Sequence, residues 1–351
     1  MNGISLFSSA GIGEYFLKDI GINIVLSNEL IKRRAELYSI IHPKSEILVG
    51  DINNIEIQKK INSSIKLNDV KFLLATPPCQ GFSLIGKNKS TDQMNNDHRN
   101  YLFYNVLEII KKNDLDYILI ENVPRSLSLF IPYKNTAMGV EQILVKEIGS
   151  RYNIKCDIFD CSNFDVAQSR KRAIIRIFKK GLSWDNPKKS TKKYTVRDVI
   201  GHLPSIESGQ KSGVKWHFGR KHSKEHIICM KNTPEGKSAF ENLIHYPKKT
   251  DGTRPKGFKT TYARIKWDEP CPTITVRNDA ISSQTNVHPG NKLKDGTYSD
   301  SRVLSIKELF LLTGLGEKFD LPESTPEILI RQVIGECVPP LLIKKICQEI
   351  I

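Results

Sequence analysis

From residue 3 to about residue 178, short β-branched and apolar runs alternate with stretches of helical periodicity. Ile4 to Phe7, Asn23 to Ser27, Ile47 to Val49, Phe72 to Ala75, Tyr117 to Glu121, Lys155 to Phe159 and Ala173 to Phe178 read as strands. Helical spacing occupies residues 12–20, 31–40, 54–62, 99–112 and 138–149. This alternation predicts parallel strands joined by crossover helices, hence an α/β fold with a doubly wound, mostly parallel sheet. Such sheets bind ligands at the carboxyl ends of their strands. Near the end, Ser305 to Thr313, Pro326 to Ile334 and Pro339 to Ile351 are helical again, with prolines placed as helix starters. The pattern predicts a catalytic domain over 1–178, an inserted smaller domain over 179–300, and a C-terminal return over 301–351 that completes the first domain.

Composition narrows the class. The 351 residues are 39% apolar, enough for a large core and incompatible with disordered or collagen-like chains. No apolar run is long enough to span a membrane and the N-terminus lacks a signal-peptide pattern, which points to a soluble, cytoplasmic chain with no membrane partner. Seven cysteines at irregular spacings, without a CxxC pair, suggest neither a metal site nor a disulfide framework. Reduced thiols leave a specially placed cysteine free to act chemically.

Charge is unevenly spread. Of the formal +15, residues 179–300 carry +12, from 24 Lys+Arg against 12 Asp+Glu. A general bias toward Lys, Asn and Ile accounts for bulk charge but not for its confinement to one segment. A polyanion, and nucleic acid in particular, is the economical partner.

Candidate chemistry collects at the predicted strand ends. After the first strand comes Phe7-Ser8-Ser9-Ala10-Gly11-Ile12-Gly13, a turn whose glycine lets a ligand approach the backbone and whose following helix would offer free N–H groups. The second strand ends at Ser27-Asn28-Glu29 and the third at Gly50-Asp51-Ile52; an acid after the second strand is where such folds hold ribose hydroxyls. The fourth ends in Ala75-Thr76-Pro77-Pro78-Cys79-Gln80-Gly81-Phe82-Ser83, where two prolines stiffen the turn that presents the Cys79 thiol. A polar loop to Asn96, with Lys87 and Lys89, is suited to closing over a substrate. The fifth strand delivers Glu121-Asn122-Val123-Pro124, a carboxyl that can hold or give a proton.

With these residues in this order, the chain resembles the DNA (cytosine-5) methyltransferases of the bacterial restriction-modification type. The resemblance spans nearly the whole chain. It rests on Pro78-Cys79-Gln80, Glu121-Asn122-Val123 and Gln168-Ser169-Arg170-Lys171-Arg172, with further matches at Asp97, Arg99, Leu102, Arg302, Ser305 to Leu312 and Gly335 to Pro340. It implies a Rossmann-like domain that binds S-adenosylmethionine, with Phe7 against the adenine and the turn at Ala10, Gly11 and Ile12 around the methionine part. Glu29 would hold the ribose, Asp51 with Ile52 the adenine edge, and Pro78 and Leu102 the pocket wall. Cys79 would be the nucleophile and Glu121 would contact the cytosine ring, while Arg170 and Arg172 steady the flipped base. Residues 179–300 fall where the family keeps its target-recognition region, which includes Tyr262-Ala263-Arg264 and Cys271-Pro272-Thr273-Ile274-Thr275. DNA contacts are expected from Gln80, Ser83, Lys87, Lys89, Arg99, Arg264 and Arg277.

Some positions depart from the family pattern. Ser5 replaces an acid on the first strand, Ser9 and Ile12 replace glycines, and Gly13 supplies a shifted one. Glu336 stands where Asn is common, either pairing with the methionine ammonium or capping the next helix.

The implied function is sequence-specific methylation of duplex DNA, with S-adenosylmethionine as cofactor and a cognate restriction endonuclease sharing the site without stable contact. One active site needs only a monomer. Amino methylation of adenine or cytosine is disfavored because Thr76-Pro77-Pro78-Cys79 lacks that chemistry's acid and aromatic. An RNA cytosine methyltransferase is a second alternative, set against the long basic insertion. A catalytically silent DNA-binding module is a third, set against intact Cys79, Glu121, Arg170 and Arg172.

Overall fold

A computed structural model describes residues 1–78, 102–257 and 259–350. The predicted roles of Cys79, Gln80, Ser83, Lys87, Lys89 and Arg99, and the closing loop after Cys79, lie outside the described residues. Two compact units are formed: Met1–Asp160 with Lys171–Lys188 and Ile343–Ile351, and Cys161–Arg170 with Lys189–Leu342. The second unit thus groups residues 301–342 with the basic segment, and only the last nine residues join the first.

The first unit is built on strands β1 (Asn2–Leu6), β2 (Asn23–Glu29), β3 (Glu46–Val49), β4 (Val70–Ala75) and β5 (Tyr117–Asn122). The β-hairpin of β6 (Phe130–Tyr133) and β7 (Thr136–Gly139) follows, then β8 (Tyr152–Asp160) and β9 (Lys171–Lys179). The seven-stranded sheet has the order β3-β2-β1-β4-β5-β9-β8. The first five strands pair in parallel, whereas β9 is antiparallel to both neighbours, so the sheet is mostly parallel, as the alternation predicts. The ten residues 161–170 between β8 and β9 are too few for a crossover helix, so the chain reverses direction instead.

Helices α1 (Lys32–Ile41), α2 (Ile55–Leu67), α3 (Leu102–Lys112) and α4 (Val140–Ile148) belong to the same unit. In α3, Phe103, Val106, Leu107 and Ile110 recur at helical spacing and are buried. They pack in one core with Ile4, Leu6, Leu73, Ile118 and Ile120 of the sheet. All six residues of β5 are buried, as expected of a strand covered on both faces. The helix expected over 12–20 is instead a run of turns and a short 3-10 segment, Leu17–Ile20, ended by Gly21 in the left-handed region. The last residues are tied to this unit by the Trp184 indole N–H, which donates to the Ile346 carbonyl at 2.8 Å.

The second unit contains α5 (Val196–Ile200), α6 (Lys224–Lys231), α7 (Ile306–Leu312) and α8 (Glu327–Glu336), with long irregular segments between them. Ser305 caps α7 by accepting from the Glu308 N–H, while Glu308 accepts from the Ser305 N–H. A small core of Cys229, Met230, Ala239, Ile281, Val287 and Val303 is supplemented by buried arginines. The final helix, α9 (Pro340–Cys347), begins in this unit and ends in the first. Among the described residues no helix is long and apolar enough to cross a membrane.

Candidate active site

The carboxyl ends of β1 to β5 are stitched together by polar side chains. Thr76 Oγ1 donates to the Phe7 carbonyl at 3.0 Å, and the Asn122 amide donates to the Pro77 carbonyl at 3.2 Å. The Asn28 amide donates to the carbonyls of Leu48 and Gly50 at 2.9 and 3.1 Å. In the sequence these residues carry no assigned role. Their signal was a polar residue closing an apolar, buried strand.

The first turn leaves β1 with Phe7, Ser9 and Gly11 all at positive φ, of 59°, 49° and 75°. Gly13 is not among the left-handed residues, so it does not stand in for the glycine missing at Ser9. Ser9 is held in this uncommon conformation by its N–H, which donates to Glu29 Oε2 at 2.9 Å, while Ile31 N–H donates to Oε1 at 2.8 Å. Each carboxylate oxygen keeps acceptor capacity, so the donor set fits a vicinal diol. Gly11 has no room for a side chain, since a Cβ would lie 2.5 Å from the His42 ring. His42 Nε2 sits 2.7 Å from the Gly11 carbonyl, and burial lowers the imidazole pKa. A free N–H array at a helix start is not formed here, because residues 13–16 are turns and Gly11 N–H donates to the Ser8 carbonyl. Ala10, Ile12 and Ile52 are buried, whereas Asp51 is exposed and accepts from Asn53 through Oδ1. Pro78 and Leu102 are half-buried.

At the end of β5 the buried Glu121 carboxylate meets Arg172 at the start of β9, with Arg172 Nε 2.8 Å from Glu121 Oε1. The antiparallel course of β9 puts the base of the Gln168 to Arg172 run beside the carboxyl end of β5. A charge-assisted pair of this kind fixes the carboxylate's orientation.

Within the second unit, two motifs about 100 residues apart are joined. Ser169 N–H donates to the Cys271 carbonyl at 2.8 Å, Cys271 N–H donates to the Ala167 carbonyl at 2.8 Å, and Thr273 Oγ1 donates to the Ser169 carbonyl at 2.9 Å. Arg170 donates to the carbonyls of Ile274, Gly335 and Glu336 at 2.8, 3.0 and 3.2 Å. Its guanidinium therefore ties the backbone at Ile274 to the end of α8, where Glu336 is exposed.

Arg264 requires a correction. It is fully buried, and its donors go to the carbonyls of Met230, Thr233, His288 and Asp300 and to Ser301 Oγ. A guanidinium with every donor committed inside the protein has none to offer DNA. Arg277, by contrast, is exposed and lies 3.1 Å from Asp279.

Comparison with known proteins agrees with the fold. The family model described as C-5 cytosine-specific DNA methylase matches residues 1–351. The chain is 56% identical over 348 residues to the Type II methyltransferase M1.HgaI of Avibacterium volantium, covering 99% of this chain and 97% of the relative. It is 28% identical over 353 residues to M1.HphI of Haemophilus parahaemolyticus, covering 99% and 86%. Among solved structures, a prophage-encoded DNA modification methyltransferase from E. coli superposes with a TM-score of 0.69 at 20% identity, covering 99% of this chain and 98% of that one. A Spodoptera frugiperda DNMT2 variant does so with 0.62 at 18% identity, covering 99% of both.

Proposed function

The chain belongs to the C-5 cytosine-specific DNA methylases, and on that premise we propose that it methylates one cytosine within a specific sequence of double-stranded DNA. The named relatives are Type II methyltransferases. The enzyme's role is then to protect host DNA from a nuclease that cuts the same sequence.

S-adenosylmethionine is the cofactor this reading requires, and the residues at the strand ends fit it. Glu29, with both oxygens backed by N–H donors and acceptor capacity left, would take the ribose hydroxyls. Phe7 and Ile52 would flank the adenine, Asp51 would accept from its amino group, Pro78 and Leu102 would line the pocket, and the Ala10 to Ile12 turn would surround the methionine part. Bound there, the cofactor supplies an electrophilic sulfonium methyl group.

Carbon 5 of cytosine is a poor nucleophile because the ring is electron-deficient. Addition of the Cys79 thiolate to carbon 6 converts the ring to an enamine and makes carbon 5 nucleophilic. Glu121, oriented by Arg172, would share a proton with ring nitrogen 3, taken up there as negative charge develops. Once carbon 5 carries the methyl group, loss of its proton, with ordered water as candidate base, lets Cys79 leave by elimination. Because carbon 6 is inaccessible in a duplex, the base must be extruded, at a cost of a few kcal/mol in stacking and pairing.

What supports the reading above all is the ordered set at the carboxyl edge: a Glu29 cradle, then Pro77-Pro78, then the Glu121–Arg172 pair. The test is incubation with S-adenosylmethionine and a duplex library carrying 5-fluorocytosine. The absence of a removable carbon 5 proton should trap Cys79 as a denaturation-resistant complex, and Cys79→Ser should abolish both trapping and turnover. Methylation of ordinary duplex without any trapping, or turnover in Cys79→Ser, would overturn the Cys79 mechanism.

A further inference from the structure

We infer that Leu243 and Ile244 form an apolar sequence-reading tip that contacts DNA bases, an assignment that rests on the proposed action on duplex DNA. Among the described residues they are the one consecutive pair of exposed large apolar side chains, at 82% and 74% exposure. Isolated exposed apolar residues are common and need no explanation, but a fixed pair does.

The backbone beneath them is braced rather than loose. Asn242 Oδ1 accepts from the N–H groups of Ile244 and His245 at 2.9 and 3.0 Å, and the Asn242 amide donates to the Asn232 carbonyl at 2.9 Å. Arg254 donates to the carbonyls of Phe240 and Asn242, and its guanidinium stacks over Tyr246 at 4.5 Å. Phe240 in turn packs edge-on against Tyr262, which contacts the small core of the second unit. A rigid turn of this kind lowers the entropy lost when a partner covers its tip.

Charge selects the occupant. Residues 237–259 carry six Lys+Arg against two Asp+Glu, so the pair lies in a cationic segment whose charge suits phosphates. Within a duplex, the apolar features that aliphatic side chains can meet are thymine methyl groups in the major groove and base steps opened in the minor groove. The exposed Lys248, Lys249, Lys256 and Lys259 of this segment hold the backbone, while Leu243 and Ile244 discriminate among bases.

The experiment methylates a random-sequence duplex library with the full-length enzyme and S-adenosylmethionine, then maps modified cytosines by bisulfite sequencing. Wild type should yield one motif, and Leu243→Ala with Ile244→Ala should relax at least one position by about tenfold. The salt slope of duplex binding should stay unchanged in that variant and fall in Lys248→Ala. Leu67→Ala, another exposed apolar position, is the control and should leave the motif intact. If wild type methylates no library member, the proposed function fails. If wild type shows a motif that the double variant reproduces with equal discrimination, the reading tip is wrong and the function stands. Should the double variant lose methylation altogether, its binding to the wild-type motif and to scrambled duplex is compared. Selective loss on the motif supports the tip, and equal loss on both overturns it.

Discussion

Glu14 illustrates what a single buried group can do to stability. Its carboxyl lies under the first turn, fully enclosed, near Ser5 and Tyr38, and Oε1 has no hydrogen-bond partner among the described residues. Burial lifts its pKa from the ordinary 4.5 to about 7. The folded state therefore prefers the protonated acid. Its contribution is fully present below about pH 4.5 and lost as pH rises through 7. Glu14→Gln should raise the thermal midpoint at pH 8, by the equivalent of about 2 kcal/mol, and change little at pH 5. A gain of equal size at both pH values would show that the charge is not the cause. In the sequence Glu14 is an unremarked polar residue of a glycine-rich turn. Glu29 and Glu121 were legible because strand ends announce them, whereas Arg264 misled because composition counts an arginine alike whether it faces water or carbonyls.

The relation between elements depends on close approach as much as on pattern. In α8, a Cβ on Gly335 would collide with the backbone carbonyl of Thr275, so this helix can lie against the segment around Thr275 only with glycine there. Gly335→Ala must push the two apart and disturb the carbonyls of Ile274 and Gly335 that Arg170 joins. We expect a loss of about 2 kcal/mol in urea unfolding, with Leu67→Ala neutral as comparison. Undiminished stability would mean that α8 moves freely there. The helices α1 to α4 and most strands were readable from periodicity within a few residues. The direction of β9 was not, because alternation of apolar residues carries no sense of direction; the signal available was the short β8 to β9 connection. The β6–β7 hairpin lacks a clear alternating pattern and went unpredicted.

Taken as a whole, the molecule keeps much of its buried charge in the second unit. Arg302 donates to both Glu308 oxygens at 2.9 and 2.8 Å and to Asp300 at 3.0 Å, and His217 lies 3.2 Å from Glu308. Asp300 also accepts from Ser205, Ser299 and the Ile206 N–H. Against the opposing effect of burial, Arg302 holds Glu308 well below the usual carboxylate range. Burial also drives His288 and His222 down to about 4. His222 Nε2 accepts from the Val303 N–H and His288 Nδ1 from the Gly290 N–H, both of which require neutral rings. With folded-state values below the ordinary 6.5 for these histidines, stability is full above that value and is lost as pH falls toward 4. The urea midpoint of the second unit, followed by fluorescence of Trp216 and Trp267, should therefore fall steadily between pH 6.5 and 4.5. A flat profile would remove the network from the stability of this unit.

The sequence by itself determined the α/β class, the order of the five strand ends, the succession of motifs that marks the family, and the confinement of +12 of the +15 to one segment. These are local properties, set by side-chain period and by residues adjacent in the chain. Tertiary structure decided which charges face inward, how 161–170 joins 271–274, which way β9 runs, and that Leu243 and Ile244 stand out on a braced turn. Those outcomes depend on burial and on hydrogen-bond partners distant in sequence, quantities that no window along the chain contains.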